Sequence, residues 1–308
     1  MRFCLRFGHV FELCLLMKRL AVVTMVFNES FNLPRWVKYY SGQVDRASDL
    51  YVLDHGSNDC STAFLNKEIN LARLPRGLGR EDFEVWRLNY ISGLARYLKA
   101  FYRAVVYVDC DEFLVVDPIV SRSLAEYFSG LNGDAMISAI GYNVLHEFSS
   151  EPEIKFGDKI TESRSFLQLN TSMCKAVAVV SDCGLEWSCG FHFSSVFPRF
   201  GDLFLFHTRY ADLKAGLKRL SLTRGMCDQP RLMLASHQRI SDETYIQWLK
   251  DMLSHPVDAG DISMDNSRVK NFFSELPIEL GQDGLWTFPL DLTLPMVSVL
   301  PDRFVGLF

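Results

Sequence analysis

Three carboxylates fall within four residues of this chain, Asp109, Asp111 and Glu112, directly after the apolar run Val105-Val106-Tyr107-Val108. Such a run of β-formers reads as a buried strand of a parallel sheet. On an extended segment alternate side chains share a face, so Asp109 and Asp111 are expected on the same side. Two carboxylates at the carboxyl end of an α/β strand suit a hard divalent cation carrying a diphosphate. The competing reading of a bare Asp-x-Asp is a strand running into an acidic surface loop. The rest of the chain decides between them.

Holding such a pair requires other strands that end at the same edge. Residues 20–26 form an apolar run of strand length, closed by Phe27-Asn28-Glu29-Ser30. Ser30 or Asn28 is expected to cap a helix over 33–40, with Pro34 in its first turn. Residues 50–53 make a second short strand, and Asp54-His55-Gly56-Ser57-Asn58-Asp59 after it is all turn chemistry. Asp59 is placed to cap a further helix over 61–66. A loop with Arg76 and Arg80 leads to a long helix from 81 to about 100. Its apolar stripe is Val85, Leu88, Ile91, Leu94, Ala95 and Leu98. Strand, polar turn and helix repeat, so the expected fold class is α/β, with ligands bound along the carboxyl edge of a parallel sheet.

Beyond the acidic run the pattern predicts a helix at 123–128, a turn at Asn132-Gly133 and a strand at 135–140. Residues 147–170 read as a polar, irregular loop. Strands follow at 175–180 and at 203–206, the latter ending at His207. A basic helix over 211–224 carries Lys214, Lys218, Arg219 and Arg224, and helices over 243–253 and 267–276 precede an apolar tail.

The chain has 308 residues, 48% hydrophobic and 22% charged, with a net charge of -5. That is enough for one large core and excludes a disordered tail or a nucleic-acid binder by bulk charge. Eight cysteines without framework spacing, one of them Cys110 inside an apolar run, suit reduced thiols and a cytoplasmic setting. Cys174, Cys183, Cys189 and His192 are spaced too widely for the tight Cys pairs of a structural zinc site. Residues 1–18 read as an amphipathic arm, because their longest apolar run, 13–17, is too short for a signal core or a membrane span. The expected organisation is this arm, a catalytic unit over 19–225 and a helical C-terminal extension over 226–308.

Three loops, taken in order, carry a resemblance. Val22-Val23-Thr24-Met25-Val26-Phe27-Asn28-Glu29, then Val52-Leu53-Asp54-His55-Gly56-Ser57-Asn58-Asp59, then Tyr107-Val108-Asp109-Cys110-Asp111-Glu112-Phe113 resemble the family-2-like glycosyltransferases of GT-A fold. The bacterial group related to the DUF23 (family 92) enzymes is the most similar. The resemblance spans roughly residues 20 to 225, and the family's "E-D" and "Q-x-x-R-W" signatures are missing. It implies a Rossmann-like, mostly parallel sheet flanked by helices. It also implies a metal-dependent transferase moving a hexose, with inversion, from a nucleotide-sugar donor (a UDP-sugar first) to a glycan or lipid-linked acceptor.

On that resemblance Thr24, Asn28 and Glu29 would lie near the nucleotide, Asp54 would meet uracil or ribose, and Asp59 would close the donor loop. Arg76 or Arg80 would face the phosphates, with Lys218 and Arg219 as a clamp. Mn2+ or Mg2+ would sit on Asp109 and Asp111, with Glu112 behind them and His207, ahead of His192, beside the metal. Glu186 or Asp228 would be the catalytic base, and Trp187 would stack on an acceptor sugar. A peripheral membrane contact would run through the N-terminal arm. The rival enzyme class, a nucleotidyltransferase, calls for a Gly-rich phosphate loop, and residues 22–28 hold no glycine. A non-catalytic nucleotide- or glycan-binding relative would be expected to lose the metal carboxylates, and both are present.

Overall fold

The computed structural model describes residues 18–76, 83–131, 136–180, 186–227 and 239–308. In chain order it begins with β1 (Lys18–Val26), α1 (Leu33–Ser41), β2 (Leu50–Asp54), β3 (Asn70–Arg73) and α2 (Phe83–Leu98). Next come β4 (Tyr102–Tyr107), β5 (Glu112–Val116), α3 (Leu124–Gly130), β6 (Met136–Ser138) and β7 (Ile140–Leu145). Then follow α4 (Ile160–Ser163), β8 (Phe166–Leu169), β9 (Ala176–Val179), β10 (Leu203–His207) and α5 (Leu213–Cys227). The chain closes with α6 (Asp242–Leu253), β11 (Val257–Asp258), α7 (Ser267–Ser274), β12 (Glu279–Leu280), β13 (Trp286–Thr287) and β14 (Val297–Val299). None of the described helices is long and apolar enough to cross a membrane.

The fold is α/β. Its first sheet has six strands in the order β3-β2-β1-β4-β9-β6. β1 to β4 are mutually parallel, whereas β9 runs antiparallel to both β4 and β6. From Leu20 to Val26 β1 is apolar except at Thr24, because both of its faces are covered there. Leu20, Val22 and Val26 enter one core with Trp36 and Tyr40 of α1; Ala21 and Val23 enter another with Ile91, Ala95 and Leu98 of α2. From β1 the chain steps to β2 and β3 on one side, then crosses back to place β4 on the other. Strand order therefore reverses between β1 and β4. Such a switch point leaves a crevice beyond the two carboxyl ends, because the loops there diverge.

A second sheet, β11-β14-β8-β7-β10-β5, packs its apolar face into the larger core. Its β5 is the continuation of the acidic run, which corrects one expectation. Residues 109–111 are not an extended continuation of the strand: β4 stops at Tyr107 and a tight turn follows, Glu112 N–H donating to the Asp109 carbonyl at 3.0 Å. β5 then leaves for the second sheet, antiparallel to β10, with Glu112 opposite His207. Asp109 and Asp111 are brought together by this turn and not by strand alternation.

Three further expectations change. Residues 61–66 form turns, not a helix, because Asp59 Oδ1 takes the Ser61 N–H at 2.9 Å and Asn66 Oδ1 takes that of Glu68 at 3.2 Å. Side chains that bond the backbone this way compete with a helix. The 147–170 stretch is partly ordered into α4 and β8, the latter held between β7 and β14. Helix α1 has Asn32 at its N-cap and not Ser30 or Asn28, and the Asn32 side chain does not cap the helix.

Candidate active site

The turn after β4 is built from charges out of water. Glu112, 2% exposed, takes the Asp109 N–H on Oε2 at 3.1 Å and the Lys175 ammonium on Oε1. Lys175, 5% exposed, lies just before β9, and its Nζ is also 3.9 Å from Asp109 Oδ2. On the other oxygen Asp109 accepts from Tyr107 Oη at 2.7 Å and from Arg87 Nη1 at 3.2 Å. Arg87, on α2, also pairs with Glu84 at 2.9 Å and lies over the Phe191 ring. Gly190 and Phe191 both have positive φ, +75° and +61°, a backbone cost for a phenylalanine that puts this ring against Tyr107 and beneath Arg87.

At the turn itself two carboxylates, Asp109 and Glu112, thus meet two cations, Lys175 and Arg87, with Glu84 on a further face of Arg87. Burial works against ionising Asp109, but Arg87 and Lys175 outweigh it and hold its carboxyl below the usual range. Burial pushes the Glu112 carboxyl up, with Lys175 pulling against it. Burial also disfavours the Lys175 ammonium, yet Glu112 and Asp109 hold it above its ordinary value.

Two residues on from Asp109, Asp111 faces the second sheet. Its Oδ2 is 3.4 Å from His207 Nε2, at the end of β10. Burial opposes its charge, but His207, Arg219 and Arg209 keep this carboxyl well below the usual range. His207 Nδ1 donates to Asn143 Oδ1 at 2.8 Å, which fixes the ring and leaves Nε2 toward Asp111. The Asp111 carbonyl accepts from Thr208 N–H at 2.8 Å, and the Thr208 hydroxyl also reaches Asn32 Oδ1 at 3.2 Å. Asn32 in turn donates to Glu29 Oε2 at 3.4 Å. Arg219 of α5 closes the ring, bonding Glu29 Oε1 at 2.9 Å and the Phe27 carbonyl at 2.7 Å. Burial pushes the Glu29 carboxyl up to about 7 against the pull of Arg219, with Asp111 and Asp109 adding to the rise.

The loops after β1 and β2 are zipped together beside this crevice. Asn28, in the left-handed region at φ +52°, takes the Asn58 N–H on Oδ1 at 2.8 Å, and its own N–H goes to Ser57 Oγ at 3.0 Å. Asp54, buried at the end of β2, spends Oδ1 on the Ser57 N–H at 2.8 Å and Oδ2 on the Thr62 hydroxyl at 3.4 Å. Arg76 lies over the Phe27 ring at 3.6 Å, and His55 stacks on Phe83 and lies tilted against Trp86, both of α2.

The crevice therefore gathers Asn28, Glu29, Asp109, Asp111, His207 and Arg219, with Asp54 and Arg76 at its β2–β3 side. Other residues singled out in the sequence lie elsewhere. Thr24 is fully buried within β1, and its hydroxyl has no hydrogen-bond partner among the described residues. Asp59 is exposed in its turn, and Lys218 is exposed on α5 beside the inward Arg219. His192 turns Nδ1 to the Ser172 carbonyl at 2.8 Å, and burial lowers it to about 4. Glu186 is exposed, whereas Trp187 is only 5% exposed, its indole donating to the Ala176 carbonyl at 2.8 Å. The expectation that Trp187 stacks on a sugar is thereby overturned. Arg80, Cys183, Asp228 and residues 1–17 lie outside the described residues.

Arg87, Lys175 and Asn143 escaped the sequence reading. The signal for the last two is a lone polar residue in an apolar setting: Lys175 before Ala176-Val177-Ala178-Val179, and Asn143 within Ile140–Leu145. Arg87 carries no comparable signal, because nothing in its local sequence sets it apart from Glu84 and Arg96 on the same helix.

Whether these residues fit a divalent cation turns on Asp111 and His207. A carboxylate oxygen and an imidazole lone pair 3.4 Å apart repel unless a proton or a cation lies between them. The spacing suits two ligands at ~2.1 Å from one ion. Asn143 supplies the outer hydrogen bond that orients a ligating histidine. Among the described residues no group of three or more His, Cys, Asp or Glu side chains is set to enclose a metal. Mg2+-type sites commonly use one or two carboxylates and complete the shell with phosphate oxygens and water, so two protein donors fit that mode. Asp109 fits less well as a direct ligand, since both its oxygens already face cations.

No protein-family model matches this sequence, and no curated protein is detectably similar to it. Among solved structures the chain is similar to the mannosyltransferase PcManGT from Pyrobaculum calidifontis in complex with GDP-Man and Mn2+. The identity is 13% and the TM-score 0.34, over 76% of this chain and 72% of that one. It is also similar to S. aureus TarS 1-349, at 10% identity and a TM-score of 0.34 over 84% and 75% of the two chains. TarS 1-349 in complex with UDP-GlcNAc gives 11%, 0.35, 84% and 76%. Likeness at this level decides nothing about this chain.

Proposed function

We propose that this chain is a metal-dependent glycosyltransferase of the family-2-like, GT-A kind. It would move a hexose from a nucleotide-diphosphate sugar, a UDP-sugar first, to a glycan or lipid-linked acceptor with inversion. The observation that carries this reading is the switch-point crevice between β1 and β4. There Asp111, paired with His207, lies among Asp109, Glu29 and the cations Arg219, Arg87 and Lys175. In open α/β sheets that crevice is where nucleotides bind.

In this reading Asp111 and His207 hold Mn2+ or Mg2+, and Asn143 keeps the imidazole turned toward it. The bound ion would supply Lewis-acid neutralisation of the diphosphate leaving group. Arg219, half-exposed beside Glu29, would offer charge-assisted hydrogen bonds to phosphate oxygens. Arg87 and Lys175 fix Asp109 rigidly, so the crevice does not reorganise as charge develops on the leaving group. Asn28 and Asn58 frame the nucleoside side. The acceptor proton needs a carboxylate base; Glu186 and Asp228 remain the candidates from chain order.

Calorimetric titration of UDP and of GDP, with Mn2+ and again with EDTA, tests the reading. Metal-dependent binding of one nucleotide is expected, and Asp111→Asn should abolish it. Failure of both nucleotides to bind under either condition would sink the donor-site assignment.

A further inference from the structure

A second feature lies along α1, away from the crevice. Residues 155–158 form a tight turn in which Asp158 N–H donates to the Lys155 carbonyl at 3.1 Å and Asp158 Oδ2 takes the Lys155 N–H at 3.0 Å. Gly157, at φ +89°, lets the turn close. At its tip Phe156 is 85% exposed, more than any other large apolar side chain among the described residues. Lys155 and Lys38 are exposed around it, and Lys38 Nζ reaches the Gly157 carbonyl at 3.5 Å. Beside the turn lies a cavity of about 250 Å³ lined by Arg35, Lys38, Gln43, Asp158 and Lys159.

The cavity is electropositive. Arg35 is 6% exposed, and its donors go to the main-chain carbonyls of Asp158, Phe31 and Lys155 at 3.0, 2.5 and 2.6 Å. No carboxylate lies within ion-pair distance of it among the described residues. Lys159 gives its ammonium to the Gly306 carbonyl, again not to an acid. Glu153, the nearest exposed acid in sequence, is engaged by Lys214 at 3.3 Å. Asp158 is the one acidic side chain lining the cavity, against three basic side chains, and Phe308, the last residue of the sequence, also lines it.

An exposed aromatic ring standing among lysines matches the boundary between anionic headgroups and acyl chains. We propose that this face docks on an anionic lipid surface. Phe156 enters the acyl boundary, Lys38 and Lys155 meet the headgroup layer, and a lipid phosphate occupies the cavity beside Arg35. This holds whether or not the transferase reading does.

The test is co-sedimentation of the full chain with phosphatidylcholine vesicles, with and without phosphatidylglycerol. Binding is expected only when phosphatidylglycerol is present. Phe156→Ser should weaken it by at least about tenfold, from the lost burial of a phenyl ring. Lys38→Gln and Lys155→Gln should each weaken it about fivefold. These side chains are exposed, so thermal melts should not move, and the lysine variants keep the test decisive if Phe156→Ser misfolds. Residues 1–17 are present in every variant, so any membrane affinity of their own cancels. Unchanged vesicle binding in all three variants would overturn the proposal. So would calorimetric binding of inorganic phosphate with no vesicle binding, which would make the cavity a site for a free anion.

Discussion

Glu29 sets the charge balance at the mouth of the crevice. Its pKa of about 7 against an ordinary 4.5 arises first from burial, then from Asp111 and Asp109, and Arg219 offsets only part of the cost. A carboxyl raised in the folded state binds its proton more tightly there than in the unfolded chain. Its contribution to stability is therefore complete below about pH 4.5 and is lost as pH rises through 7. Glu29→Gln removes the titration. Urea unfolding in EDTA should show the variant gaining on the wild type by about 2–3 kcal/mol between pH 5 and pH 8. Parallel pH profiles for the two proteins would mean that Glu29 does not titrate in this range.

Among the elements, the Lys175–Glu112 pair joins the first sheet at β9 to the second at β5. With both side chains almost fully buried, breaking the pair from one side strands a charge, at about 3–5 kcal/mol. Lys175→Met should cost that much in urea unfolding, and adding Glu112→Gln should return most of it. Strictly additive losses from the two substitutions would show that the ion pair is not the link. The same junction shows what the sequence discloses. The strands β1, β2, β4, β9 and β10 and the long helices were legible from apolar runs and caps, and so were the positions of Asp111 in the acidic run after β4 and of His207 at the end of β10. The turn at 109–112 was not, because an extended run and a run broken between two sheets have the same composition. β3 was missed because it is a four-residue edge strand, half exposed, without an apolar run of its own. Lys175 and Arg87 acquire their roles only when β9 and α2 pack against the β4 edge, and local pattern does not encode that contact.

At the scale of the molecule, one aromatic chain joins α1, which covers a face of the first sheet, to the second sheet. Trp36 packs on Tyr40 at 4.7 Å, and Tyr40 stacks on Phe113 of β5 at 6.3 Å. Phe113 stacks on Phe308 at 4.3 Å, and Phe308 meets Phe206 of β10 at 5.5 Å. Phe304 closes the cluster against Phe204 at 5.2 Å and Phe206 at 5.5 Å. Helix α1, the second sheet and the C-terminal segment thus bury their rings in the same core that takes Leu20, Val22 and Val26 of β1, and the crevice lies at the junction of the two sheets. If they unfold as one unit, damage at Phe304 must be felt at Trp36. Phe304 is fully buried, so Phe304→Ala should cost about 3–5 kcal/mol. Tryptophan fluorescence and far-UV circular dichroism should report that loss as one shared shift of a single transition. If the tryptophan signal kept its wild-type midpoint while part of the dichroism moved, the second sheet would be melting alone. His207, and Thr208 that holds the Asp111 carbonyl, would then leave the β1–β4 crevice whenever the second sheet opens.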